Sequence, residues 1–169
     1  MKHLKTLVLA TALLIGSTSI MNAQSKVAHI NTQELVASMP ETKTAQAEIE
    51  KLGKTYEVEI QSMATEYQNK IKQYEAEAPN KTDEENAKRG QEVQAMQQSI
   101  GQYRSQAQQN MQKKEAELLQ PIYKKVNDAI QAVAKAQGFN YVLDSMAGQG
   151  VLYADGKDLL ADVKKELGF

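Results

Sequence analysis

The sequence predicts a mainly α-helical fold with a small β body, in which a long antiparallel helical hairpin projects as an arm from a short-stranded oligomerisation head. Apolar residues recur at helical spacing over residues 41–78 and again from residue 83 onward. Pro79 separates these two segments and interrupts the helix. After Gly138 the apolar residues alternate with a period of two, which is typical of strands.

The first 23 residues have the three parts of a secretory signal peptide. Lys2 and Lys5 give a basic start, residues 7–15 form an apolar run, and residues 21–23 resemble a cleavage site. The run is shorter than the roughly 20 apolar residues that span a bilayer. The sequence has no cysteine, so neither a disulfide nor a lipid-bearing cysteine is expected. We therefore expect a soluble periplasmic protein, in which 18 basic residues remain against 21 acidic ones.

A short strand and a short helix precede the arm. Residues 26–30 are mostly apolar and β-branched, which predicts the strand. Asn31 is placed to cap the helix that follows. Pro40 either ends this helix or opens the next one.

The first arm helix carries one apolar stripe that repeats every 11 residues. Ile49, Ile60 and Ile71 form one of the three series in this repeat. A repeat of 11 residues has about 3.67 residues per turn, close to the 3.6 of an α-helix. The stripe therefore stays on one face of the helix.

The second long helix is predicted to begin at a capping box formed by Thr82 and Glu85, and to end at Gly138. Residues 41–78 and 83–120 have equal length, so they match as the two halves of a hairpin with its tip at residues 79–82. At 1.5 Å per residue, each half is roughly 57 Å long. This predicts an arm over residues 41–120 on a body formed by residues 24–40 and 121–169.

The end of the chain reads as strands followed by a short helix. Phe139, Tyr141 and Leu143 alternate with polar or smaller neighbours and predict one strand. Gly148 and Gly150 predict a hairpin turn, and residues 151–153 a second strand. Residues 158–167 have leucine and valine on one side and predict the closing helix.

The body is too small to bury a large core on its own. Domains of about 40 to 70 residues without a disulfide or a metal rarely bury enough apolar surface to be stable alone. Oligomerisation is the obvious remedy, because the apolar residues of the second long helix cover more than one face within the body. The candidates for this contact are Val27, Ile30, Ile122, Val126, Ile130, Val133, Phe139, Tyr141, Leu143, Val151 and Tyr153.

The tyrosines and methionines of the arm allow two interpretations. They form the seam between the two helices, or some of them, with Val58 and Ala64, present soft and adaptable contacts to a partner. Catalytic chemistry finds no support, since His29 is the sole histidine after residue 23 and there is no cysteine. We expect no enzyme activity, metal or cofactor, and the absence of a basic tract argues against nucleic-acid binding.

The order of these segments resembles the Skp/OmpH family of periplasmic chaperones. The resemblance rests on an export signal, the stretch "SMPETKTAQAEIEKL", a long helical hairpin and the stretch "FNYVLDS…GVLYADGKDLLADVKKEL". It implies a jellyfish-like homotrimer whose three arms enclose a cavity, where unfolded outer-membrane proteins are held without ATP and kept from aggregating. The residues expected to contact such clients are Val58, Met63, Ala64, Tyr67, Tyr74, Met96, Tyr103 and Met111.

The chain departs from the best-known members of that family in charge and in one cap. Those members are strongly basic, whereas residues 72–92 around the tip contain four basic residues against six acidic ones. This balance argues against electrostatic capture of lipopolysaccharide or anionic lipid. Leu160 stands where the family commonly has threonine as a helix cap, so Asp158 is predicted to take that role. The alternative function is a structural or adaptor coiled coil of the cell envelope, with arms that dock one dedicated partner.

Overall fold

The computed structural model describes residues 25–169, and the predicted signal peptide lies outside this range. The fold is mainly helical with one small sheet, as the sequence predicts. The sheet has the strand order β2-β1-β3, and both outer strands run parallel to β1. In chain order the elements are β1 (Val27–Ile30), α1 (Thr32–Ser38), α2 (Pro40–Glu77), a 3-10 turn (Ala78–Asn80), α3 (Asp83–Gln137), β2 (Tyr141–Asp144), β3 (Lys157–Asp158) and α4 (Leu160–Leu167).

The long helices begin and end at local sequence signals. Pro40 occupies the first turn of α2, where its missing N–H leaves no hydrogen bond unmade. At the start of α3, the Thr82 hydroxyl accepts a hydrogen bond from the N–H of Glu85 at 3.2 Å, and the Glu85 carboxylate accepts one from the N–H of Thr82 at 3.0 Å. Gly138 ends α3 in the left-handed conformation, with φ of 71°. The predicted capping box and helix end are therefore confirmed.

The helix α2 and the first part of α3 form the predicted antiparallel hairpin. Ion pairs cross between the two helices from Glu41–Lys125 at the base to Glu77–Arg89 near the tip. The helix α3 has 55 residues, or roughly 82 Å, so it runs on from the arm into the body. Along residues 25–169, we find no helix with the length and hydropathy needed to cross a bilayer.

The core of the body lies on one face of the sheet. Ala28 and Ile30 point into it from β1, and Leu159 and Val163 close it from the C-terminal end. The base of α3 supplies the largest share, because its apolar residues inside the body recur every three or four positions. These buried residues of α3 are Ile122, Val126, Ala129, Val133 and Ala134.

The predicted strand at residues 151–153 is wrong, and so is the hairpin that would join it to the preceding strand. Gly148 and Gly150 do turn the chain, with φ of 89° and 85°. The third strand is instead β3, which pairs with β1 on the edge opposite β2. After this turn Leu152 is fully exposed, so residues 151–153 do not pair with β2, although the outer edge of β2 is open.

The closing helix begins slightly later than predicted, at Leu160 rather than at residue 158. Asp158 belongs to β3, and its carboxylate accepts a hydrogen bond from the N–H of Leu160 at 2.9 Å. It thus satisfies one N–H group at the start of α4, which is the task of a capping side chain.

Asp144, the last residue of β2, joins the sheet to the start of α1. Its carboxylate accepts hydrogen bonds from the Thr32 hydroxyl at 2.6 Å, from the Thr32 N–H at 3.3 Å and from the Met146 N–H at 3.0 Å. Burial disfavours the ionised form, but these hydrogen bonds outweigh it and hold the pKa of Asp144 below its usual value. The negative charge also faces the N-terminus of a helix, where it is favourable.

We predict that Asp144→Asn lowers the free energy of unfolding by about 1 kcal/mol at neutral pH, because a neutral amide loses the charge that strengthens these hydrogen bonds and faces the helix N-terminus. Since folding lowers the pKa of Asp144, its stabilisation is complete above the unfolded pKa of about 3.9. It is lost as the pH falls through the lower, folded pKa. The difference between wild type and variant should therefore shrink in acid, measured by urea unfolding at one fixed protein concentration.

Asp155→Asn serves as the control for this measurement, because Asp155 is an exposed carboxylate in the same body. It should leave the free energy of unfolding within about 0.5 kcal/mol of wild type. A loss in Asp144→Asn that is equally large at every pH would contradict the proposed role of the carboxylate charge.

Candidate interaction surfaces

The arm is two helices thick and buries little of its apolar stripe. Within residues 41–120, the buried apolar side chains are Ala45, Ile100 and Ala107. Two packed helices cover the sides that face each other, and the flanks of a wide stripe stay in contact with solvent. Most of the stripe is therefore half-buried, including Met63, Tyr67, Tyr74, Met96, Tyr103 and Met111.

In the middle of the arm, Tyr103 is held in the seam by polar and aromatic contacts. Its hydroxyl donates a hydrogen bond to the carboxylate of Glu59 on the opposite helix. Its ring meets that of Tyr56 edge-on, with centroids 6.0 Å apart and an interplanar angle of 65°. The hydrogen bond to Glu59 is the main reason that the pKa of Tyr103 rises to about 12. Asn110 donates a further hydrogen bond to the Tyr56 hydroxyl at 3.0 Å.

Near the tip, Tyr74 lies inside a cluster of charged side chains. The guanidinium of Arg89 lies 4.5 Å from the centre of its ring, and the ammonium of Lys70 lies 5.4 Å from it. Its hydroxyl donates to the Glu92 carboxylate, while Arg89 forms an ion pair with Glu77 across the hairpin. Hydrogen bonds from Tyr74 and then Lys70 hold the pKa of Glu92 below its usual value. The cluster fastens the two helices together just below the turn.

The eight residues predicted to contact clients fall into different environments. Tyr74 and Tyr103 use their hydroxyl groups across the seam. Val58 lies away from the seam, with 68% of its surface exposed. For all eight residues, contact with a client stays a prediction. The other five, Met63, Ala64, Tyr67, Met96 and Met111, are half-buried.

The acidic partners of the seam tyrosines were not predicted from the sequence. Apolar periodicity identifies the stripe but says nothing about charged residues beside it. For one of them the signal was available, because the equal lengths of the two halves set an antiparallel register. That register places residue 102 opposite Glu59, next to Tyr103. It does not identify Glu92 as the partner of Tyr74, because the position opposite Tyr74 is residue 87.

The second candidate surface is the face of the sheet that points away from the core. Val27 of β1 lies beside Tyr141 of β2, and His29 lies beside Leu143. Tyr141 and Leu143 are 59% and 46% exposed. Adjacent exposed apolar side chains on one face of a sheet are typical of a protein–protein contact.

The eleven residues predicted to take part in oligomerisation divide into three groups. Ile30, Ile122, Val126 and Val133 are buried in the core of the single chain. Ile130, Phe139 and Val151 are half-buried, and Val27, Tyr141, Leu143 and Tyr153 are exposed. The exposed group is the one available to another copy. Leu152, which was not among the candidates, is completely exposed.

Chemistry that would need a cluster of ligands is not evident in the part of the chain that the structure describes. No group of three or more histidine, cysteine or acidic side chains in residues 25–169 could hold a metal ion. His29, the sole histidine there, is half-buried, and its Nε2 lies 3.2 Å from the carbonyl oxygen of Gly156. It lies in the sheet and contacts the segment that precedes β3.

Comparison with known proteins identifies the family. Residues 26–167 match the family described as outer membrane protein (OmpH-like). The fold is similar to the crystal structure of a candidate outer membrane chaperone (OmpH-like) from Caulobacter crescentus CB15, with a TM-score of 0.76 and 20% sequence identity, over 86% of this chain and 85% of that one. No curated protein sequence matches the chain. The family match covers nearly all of the described residues, and the chain therefore belongs to the OmpH-like outer membrane protein family.

Proposed function

We propose that the protein is an ATP-independent holdase chaperone of the periplasm, which binds unfolded outer-membrane proteins and prevents their aggregation. The observation that carries this proposal is the arm, a two-helix rod that leaves most of its apolar stripe half-exposed. Methionine and tyrosine side chains adapt to partners of varied shape. Such a surface suits many unfolded chains better than one folded partner.

Self-association completes the proposed mechanism. The exposed side chains Val27, Tyr141 and Leu143 would meet other copies, and a homotrimer would then carry three arms around one cavity. Each apolar contact with a client is weak, but contacts on three linked arms raise the overall affinity through effective concentration.

The charges of the arm tip support a client chemistry that does not depend on anionic lipid. Near the turn, Arg89 is paired with Glu77, and Lys88 is paired with Glu84. Paired cations offer less to a phosphate group than free ones. Capture of lipopolysaccharide or anionic lipid is therefore not part of the proposal.

A structural or adaptor coiled coil of the envelope is the second candidate. It is favoured by one observation, the use of the Tyr74 and Tyr103 hydroxyl groups inside the seam. Arms that served as rods for a single partner would need a rigid seam and no affinity for unfolded chains. An aggregation assay distinguishes the two functions, because only a holdase would suppress the aggregation of an unfolded client.

We predict that the purified protein suppresses the aggregation of a urea-denatured outer-membrane protein on dilution, at about one trimer per client and without ATP. The measurement is light scattering, with native mass spectrometry to count chains in the complex. Addition of ATP should change nothing. Unaltered scattering at a several-fold excess of protein would rule out the holdase function and leave the adaptor.

We predict that Val58→Ser weakens client binding about three- to tenfold, since it removes apolar surface from every arm of the trimer. Helicity and melting temperature should not change, because Val58 packs little in the free chain. Thr65→Ser, two turns along the same face of α2, is the matched control and should bind as wild type does. Equal affinities for wild type and Val58→Ser would place client contact elsewhere on the arm.

We predict that Leu143→Asp shifts the protein from oligomer to monomer, because the charge would be buried without a partner in the proposed contact. The residue is exposed in the single chain, so the helicity should persist. Analytical ultracentrifugation gives the mass. Val58→Asp, the same charge at an exposed position on the arm, should remain oligomeric, and retention of full mass by Leu143→Asp would argue against this face.

A further inference from the structure

A groove on the body lies outside the surfaces described above. It is formed where α1, the base of α2 and the body part of α3 meet, and it has a volume of about 620 Å³. Its apolar walls include Val36 and Ala37 from α1, Tyr123 and Ile130 from α3, and Met146. The remaining lining side chains are hydroxyls, amides and one further valine, so none of the lining residues is charged. In a chain with 24% charged residues, an uncharged groove of this size is unusual.

The segment that follows β2 is exposed, whereas the groove is recessed, and like the groove it is uncharged. Residues 145–154 contain no charged side chain. Leu152 is 100% exposed and Tyr153 is 82% exposed, so neither side chain is packed against the rest of the described chain. Large apolar side chains in this state are typical of a contact with another molecule.

The segment does not enter the groove of its own chain, because a turn leads it into solvent. Met146, which lines the groove, donates its N–H to the Asp144 carboxylate at 3.0 Å. The Gln149 N–H then closes a turn onto the Met146 carbonyl oxygen at 3.1 Å, and Gly148 and Gly150 adopt positive φ. This turn directs Leu152 into solvent, although it is six residues from the groove.

We infer that Leu152 and Tyr153 of one copy fill the groove of a neighbouring copy, so that the groove is complete only in the oligomer. Groove and segment match in being uncharged and apolar, and the volume is sufficient for two large side chains. In each copy the donor segment begins beside the acceptor groove, at Met146. Donor and acceptor are different surfaces, so the contact is head-to-tail and generates a closed ring when the rotation between copies closes.

This inference rests on the self-association that the proposed function requires. It differs from that proposal in naming the residues that pass between copies. It also explains why an apolar segment that suits a strand has no partner strand in its own chain.

The absence of cysteine from the sequence makes the contact testable by disulfide trapping. Ala37→Cys and Leu152→Cys chains, each with a different affinity tag, are unfolded together, refolded and oxidised. A disulfide needs Cα atoms about 4.4–6.8 Å apart, so it reports direct proximity. We expect a disulfide-linked dimer that carries both tags. Its yield should be at least fivefold above the yield of linked dimer from either variant oxidised alone. Both replaced side chains are exposed in the single chain, so the fold should be kept.

Ser105→Cys mixed with Leu152→Cys is the control, because Ser105 is exposed in the middle of the arm. A yield of doubly tagged product no higher than in this control would overturn the inference. A chain that carries both Ala37→Cys and Leu152→Cys should give linked dimers and trimers. A disulfide closed within single chains would also overturn it, because the segment would then cover its own groove.

Leu152→Asp gives a second test of the contact that does not depend on oxidation. We expect at least a tenfold rise in the dissociation constant of the oligomer, measured by ultracentrifugation, with an unchanged circular dichroism spectrum. An unaltered dissociation constant would count against the contact. If the oligomer suppresses client aggregation but forms no doubly tagged product, this inference is refuted and the holdase function is not. If the doubly tagged product forms but client aggregation is not suppressed, the holdase function is refuted and this inference is not.

Discussion

The arm has almost no interior, and this constraint governs the rest of the structure. A rod of two helices has one contact surface, so apart from Ala45, Ile100 and Ala107 the side chains of the stripe have a neighbour on one side and solvent on the other. Its register is fixed by pairs across the seam, such as Lys114 with Glu48 and Tyr103 with Glu59. Exposed ion pairs contribute about 0–1 kcal/mol each, so the hairpin depends on many weak contacts. Segments stabilised in this way open locally at low cost, which suits the proposed binding of clients of varied shape.

The body also leaves part of its apolar surface uncovered. Three strands give a sheet with two faces, and the single chain has enough helices to cover one of them. The covered face contains Ala28 and Ile30, and the uncovered face contains Val27, Tyr141 and Leu143. A parallel sheet is normally covered on both faces. In the proposed oligomer, other copies would cover the exposed sheet face, the uncharged groove and Leu152.

Local signals in the sequence predicted the parts of the fold that local interactions decide. Thr82 and Gly138 mark the ends of α3, because a cap involves residues a few positions apart. Pairing of strands involves distant residues, and there the prediction for residues 151–153 failed. A short apolar run between turns shows that a segment suits a strand, but not which strand it pairs with. The outer edges of β2 and β3 are open, yet residues 151–153 pair with neither.

The candidate lists had a related weakness. Hydrophobicity selected Ile122 and Tyr141 alike, although one lies in the core of the chain and the other on its surface. Which side of an apolar element is covered depends on the packing of the whole body, and a single element does not contain that information. Likewise, the stripe of the arm predicted where Tyr74 lies, but not that its hydroxyl is bound by Glu92.

The helix α3 connects the two halves of the proposed mechanism, because one continuous helix lines the groove and forms half of the arm. Tyr123 and Ile130 lie in the groove, and Pro121 comes just before them at the junction with the arm. Proline has no N–H, so the carbonyl of Glu117 loses its helical hydrogen bond at this position. Loss of that bond makes bending easier at the junction than elsewhere along the helix. In the proposed mechanism, contacts between copies would hold the base of α3 in place, and the arm above Pro121 would change direction with the size of the bound client.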